Sequence, residues 1–102
     1  MNIQSTQKIV EEVLNEKPET RESDGALIVE VLRSINPEIV KEPFYKVVPM
    51  CSETGEYPPF ETIRRTRQKI QERNPHLRAS KEVESYRAYK EHKFFDFAIS
   101  RK

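Results

Sequence analysis

Apolar residues recur at helical spacing in several separate stretches of the chain. Ile9, Val10, Val13 and Leu14 share one face of a helix predicted over residues 5–16, which Ser5 or Thr6 can cap and Pro18 stops. Lys8, Glu11, Glu12 and Glu16 occupy its other, solvated face. Leu27, Ile28, Val31, Leu32 and Ile35 form a more regular stripe, and such a stripe is ordinarily core. Ser23 or Asp24 caps this second helix, Asp24 also suits the positive end of its dipole, and Asn36-Pro37 ends it.

Residues 37–50 are less regular. Pro37-Glu38-Ile39-Val40 can start a short helix that Pro43 limits, and Phe44, Val47 and Val48 add an apolar patch. Residues 50–59 read as a loop, because Ser52, Gly55, Pro58 and Pro59 break regular structure; a β-hairpin, if the chain has one, would have its tip here. A helix over residues 59–74 follows, opened by Pro59 and closed by Asn74-Pro75. Phe60, Ile63, Arg67 and Ile70 share one of its faces, Thr62, Arg65, Lys69 and Arg73 the opposite one, and Arg64 a flank. After a short link, Ser80 caps a last helix over residues 80–100, in which Val83, Tyr86, Arg87, Lys90, Phe94 and Phe97 recur every three or four residues. No internal repeat or low-complexity segment is evident. The pattern predicts a mainly α single domain over residues 1–102, with four to five helices.

Composition narrows the picture. The 102 residues leave no room for a second sizeable core. The net charge of +1 hides an asymmetry: residues 1–42 hold five Lys/Arg against nine Asp/Glu, whereas residues 58–102 hold twelve against six. An acidic half followed by a basic half is a recognised sign of nucleic-acid contact, or of two halves that attract each other. The single cysteine, Cys51, can form no intrachain disulfide, which favours a reducing cytoplasm. No apolar run reaches the ~20 residues of a membrane span, and residues 1–12 lack a secretory h-region.

Candidate chemistry concentrates in Glu61-Thr62-Ile63-Arg64-Arg65-Thr66-Arg67-Gln68-Lys69-Ile70-Gln71. A helix with a basic face and a thin apolar face can dock on its scaffold and still enter a groove. Arginine binds two acceptors on a guanine edge and glutamine does so on adenine, while threonine and lysine hold phosphates. Arg64, Arg65, Lys69 and Arg73 are therefore the candidate phosphate contacts, and Thr62, Arg65 and Gln68 the candidate base contacts. The segment resembles the recognition helix of winged-helix and helix-turn-helix proteins. Together with Pro18-Glu19-Thr20-Arg21-Glu22-Ser23-Asp24 and Leu27, it resembles a group of small uncharacterised helix-turn-helix-like proteins of phages and prophages of Gram-positive bacteria. The resemblance covers roughly residues 18–74. It implies a helix-turn-helix-like fold and a phage context, and no settled activity. The basic face of the helix over residues 59–74 is what points to double-stranded DNA as partner, and with the phage context to a role in transcription or replication control. Two features depart from a winged helix: no alternating apolar runs surround a glycine turn after Asn74, and the loop before the basic helix is long. One basic helix binds weakly, so a homodimer is expected where specificity is needed.

Catalysis finds little support, and no cofactor is expected. His76 and His92 have no ligand-spaced His or Cys, so no metal site is expected, and Cys51 reads as a bystander thiol. Tyr86, Tyr89, Phe94, Phe95 and Phe97 are assigned to the core or to a partner interface. They also support the rival expectation: a small phage-encoded protein that captures a host or phage protein through an aromatic anchor.

Overall fold

Proline and serine punctuate the helices. The computed structural model describes the backbone of residues 3–100 and the side chains of residues 4–90. Helix α1 (Ile3–Glu16) stops two residues before Pro18, and a single turn, α2 (Glu19–Glu22), follows. Ser5 and Thr6 thus lie inside the first turn of α1, not at its cap, and Thr6 is buried. Ser23 caps α3 (Asp24–Ile35), its Oγ accepting from the Ala26 N–H at 3.2 Å. Asn36 turns extended ahead of Pro37, and its Oδ1 opens a 3-10 turn (Pro37–Lys41) by accepting from the Glu38 N–H at 3.1 Å. Another single turn, α4 (Phe44–Val47), follows Pro43. Helix α5 (Phe60–Arg73) starts directly after Pro59, and a 3-10 turn (Pro75–Leu77) joins it to α6 (Lys81–Ser100). The domain is mainly α, with no β-strand among the described residues. Two of its α-helices are single turns, too short to leave a hydrophobic period in the sequence.

The expected loop over residues 50–59 is present and closed by backbone pairing. Tyr57 N–H donates to Met50 O at 3.1 Å and Ser52 N–H to Tyr57 O at 3.2 Å, an isolated bridge that does not extend into a hairpin. Gly55 sits so close to the Met50 carbonyl that any side chain there would collide with it. The pinch buries Tyr57, whose hydroxyl accepts a 3.0 Å hydrogen bond from Asn36 Nδ2.

Two apolar clusters hold the helices. The first joins Val10, Val13 and Leu14 of α1, Leu27 and Val31 of α3, Ile63 and Ile70 of α5, and Leu77. The second joins Leu32, Ile39, Val47 and Tyr57 beneath the irregular middle of the chain. Both stripes read from the sequence are therefore core, and α1 packs against α3 and α5 together.

The fold corrects one expectation: the chain does contain an internal repeat, carried by its connectors. Pro18, Arg21 and Ser23 recur at one constant interval as Pro75, Arg78 and Ser80. At that interval α1 and α5 are both 14 residues long, and α3 and α6 both begin one residue after the serine. The bonds recur too. Arg21 Nε donates to Leu14 O and Arg78 Nε to Gln71 O, so each arginine reaches back to the unsatisfied carbonyls that end the preceding helix. Thr20 N–H donates to Lys17 O, and Leu77 N–H to Asn74 O. Ser80 Oγ accepts from Val83 N–H as Ser23 Oγ does from Ala26. The repeat escapes a composition scan because the helices between these markers have diverged in polarity.

Candidate nucleic-acid interface

The basic face of α5 is set by what its opposite face must bury. Ile63 and Ile70 enter the core, which turns Thr62, Arg65, Lys69 and Arg73 outward along one stripe. Arg65, Lys69 and Arg73 are exposed and Thr62 is half-buried. These four line a groove of about 440 Å³ whose far wall is Gln7 and Glu11 of α1, with Glu53 of the loop at its rim. The stripe is thus a row of cations bordered on one side by two carboxylates, not a broad positive surface.

Glu61 organises the start of the stripe. Arg64 donates to it from Nη2 at 2.7 Å and from Nε at 3.1 Å, and Arg65 donates from Nε at 3.1 Å. The Arg64 hydrogen bonds foremost, with Arg65 adding to them, lower the Glu61 carboxyl from its usual 4.5 to about 2. Both arginines are therefore already engaged, whereas Lys69 and Arg73 make no ion pair among the described residues. Thr66 returns its hydroxyl to the Thr62 carbonyl at 2.7 Å.

The remaining candidates lie elsewhere. Gln68 borders a different cleft, of about 300 Å³, between α5 and α6. Tyr86 and Tyr89 are exposed by 58% and 57%, which removes them from the core of this chain. The side chains of Phe94, Phe95 and Phe97 lie outside the described residues, as does that of His92.

Sequence reasoning missed the polar centre behind the stripe. Arg67, placed among the apolar positions of α5, is buried, its Nε 2.8 Å from Asp24 Oδ1. Its Nη1 donates to Gln71 Oε1 at 2.8 Å, and Gln71 Nε2 donates to Leu77 O at 2.9 Å and to Arg21 O at 3.3 Å. Arg87 of α6 reaches both Gln71 Oε1 and Asp24 Oδ1 at 3.4 Å. Gln71 thereby uses both lone pairs and both amide hydrogens. Asp24, read as a cap, is instead the counter-ion of two arginines. The available signal was an arginine at a core position of one helix, which needs a counter-ion, and an acid at the start of another.

Cys51 is half-buried, and burial pushes its thiol up, away from the reactive thiolate. Among the described residues no three His, Cys, Asp or Glu side chains gather as a metal site, and no helix is long and apolar enough to cross a membrane. Comparison with protein-family models, curated proteins and solved structures found no match to this chain.

Proposed function

We propose that this chain is a non-enzymatic double-stranded DNA-binding domain, acting in phage transcription or replication control in the cytoplasm of a bacterial host. The observation that carries this reading is the exposed row Arg65, Lys69 and Arg73 on one rigid helix, two of its three cations having no acidic partner among the described residues. The cations stand about one helical turn apart, about 6 Å along the axis, and a row of cations of this kind neutralises several phosphates together. Thr62 and Arg65, at the start of the helix, are the candidates for base edges, and Gln68 reads bases only from the flank. Glu11 and Glu53 exclude the duplex from the floor of the groove, so α5 meets DNA by its exposed edge. The phage context rests on the resemblance of residues 18–74.

The test is fluorescence anisotropy of labelled duplex DNA at low and near-physiological salt. Binding should fall steeply with salt, with a log–log slope that drops by about three when Arg65, Lys69 and Arg73 are all changed to Ala. Absence of binding at low salt overturns the proposal.

A second reading, capture of a host or phage protein, is favoured by one observation. Ile28, Leu32, Val40, Phe44 and Phe60 line an apolar depression of about 180 Å³, beside which Phe44 and Tyr45 are each 73% exposed. Binding of that kind would change little with salt and would survive the triple substitution.

A further inference from the structure

The irregular middle of the chain leaves an apolar face in water. Val29 of α3, Val40 of the 3-10 turn Pro37–Lys41 and Phe44 of α4 line one depression and are exposed. Tyr45 and Val48 are exposed beside it. Val48 keeps helical dihedrals (φ −56°, ψ −46°), so it stands one turn beyond Phe44. Val47 is buried and lines the depression with Phe44. Going round the turn from Val47, the register brings Phe44, then Val48, then Tyr45. The surface therefore runs in one order: depression, Phe44, Val48, Tyr45.

That order is complementary to its own reverse. A two-fold axis between Phe44 and Val48 lays each Tyr45 over the depression of the other copy. The chemistry matches as well as the order. An apolar cavity of about 150 Å³ holds a benzene ring, and this depression has about 180 Å³. A tyrosine adds one hydroxyl donor to such a ring, and the depression has one charged residue in its lining, Glu42. The side chains of Tyr45 and Glu42 make no hydrogen bond or ion pair among the described residues. Each copy thus carries an unengaged ring with a donor, and a ring-sized hollow with an unengaged acceptor.

The area is sufficient for such a contact. Phe44 and Tyr45, each 73% exposed, leave about 300 Å² in water. With the three partly exposed valines the face reaches about 500 Å², large for a monomer. A second copy supplies an equal face by symmetry, and the pair buries about 1,000 Å² in total, the least a specific interface needs.

We propose that this face is a homodimer interface, in which Tyr45 of each copy enters the depression of the other and donates its hydroxyl to Glu42. The occupant is a second copy of this chain in place of the host or phage protein of the second reading. None of the cations proposed for DNA takes part, so the dimer stands or falls independently of DNA binding.

Sedimentation equilibrium of the full chain without DNA, from low to high micromolar concentration, tests it. The expected result is a reversible monomer–dimer equilibrium. Tyr45→Ala should weaken the dimer by about a hundredfold or more, since two rings leave two hollows. Tyr45→Phe keeps both rings and loses both hydroxyls, and should weaken it roughly tenfold. Val29→Trp closes the depression and should weaken it like Tyr45→Ala. Both positions are exposed, so far-ultraviolet circular dichroism should not change. A mixture of the Tyr45→Ala and Val29→Trp chains regains one of the two contacts, an intact ring in an open depression. Its heterodimer should be about tenfold tighter than either variant alone. A wild-type protein that stays monomeric throughout overturns the proposal and leaves the face to a different protein. So does a dimer indifferent to Tyr45→Ala, or a mixture no tighter than the separate variants.

Discussion

Val10 and Leu14 of α1 and Leu27 and Val31 of α3 lie fully buried in one apolar cluster. At the equivalent positions of the second helical pair, Arg67 and Gln71 of α5 face Glu84 and Ala88 of α6 across a cleft. The two pairs share a proline, a carbonyl-capping arginine and a serine cap, so the local rules that start and stop their helices are the same. They differ in what seats the second helix. Apolar contact seats α3, and among the described residues directional polar bonds seat the first part of α6. The comparison teaches that helix punctuation and helix packing are separable: the first can be copied intact while the second is rewritten.

Truncation should make that difference largest. Leu27→Ala should cost about 2–5 kcal/mol in chemical denaturation, because it opens a cavity in a closed core. Glu84→Ala, at the equivalent position of α6, should stay within about 0.5 kcal/mol, as for an exposed site. Equal costs would mean that the two pairs are packed alike.

Removing the counter-ion comes next. Asp24→Ala leaves Arg67, whose side chain is only 7% exposed, without its 2.8 Å partner. A fully buried pair broken in this way costs about 3–5 kcal/mol, and the 35% exposure of Asp24 reduces the expectation to about 2–3 kcal/mol. Arg67→Met in the same background should recover most of the loss, because it removes the stranded charge. Hydrogen exchange should show the start of α6 losing protection in Asp24→Ala while α1 keeps its own. Uniform loss across both helices would show that the polar centre supports the whole domain and not α6 in particular.

The smallest effect lies on the surface of α5. Glu61 should titrate near pH 2 by NMR. Its carboxylate is favoured in the folded chain, so its contribution is full above the unfolded value of about 4.5 and is lost as the pH falls through about 2. Arg64→Ala should raise the midpoint more than Arg65→Ala, since Arg64 donates two of the three hydrogen bonds. A reversed order would show that Arg65 is the arginine Glu61 chiefly restrains, and so the one less available to a phosphate.

The sequence by itself determined the four longer helices and, apart from the start of α1, their ends. The 3.6-residue period of Leu27, Ile28, Val31, Leu32 and Ile35, the capping serines and the prolines are local signals, each acting within a turn or two of its own position. The outward stripe Thr62, Arg65, Lys69 and Arg73 was equally legible, because burying Ile63 and Ile70 fixes it. Only the tertiary structure decided the rest. Asp24 and Arg67 are far apart in the chain, and nothing local distinguishes a capping acid from a counter-ion until α3 and α5 come together. Gln68 shares a helix with Arg65, yet the approach of α6 puts it on a different cleft. Tyr86 and Tyr89, assigned by residue type to the core or to a partner interface, stand exposed, because the positions that would have drawn α6 inward hold Glu84 and Ala88. Periodicity reports which side of a helix is apolar. Whether that side meets its own chain depends on residues elsewhere in the sequence, and folding alone brings them together.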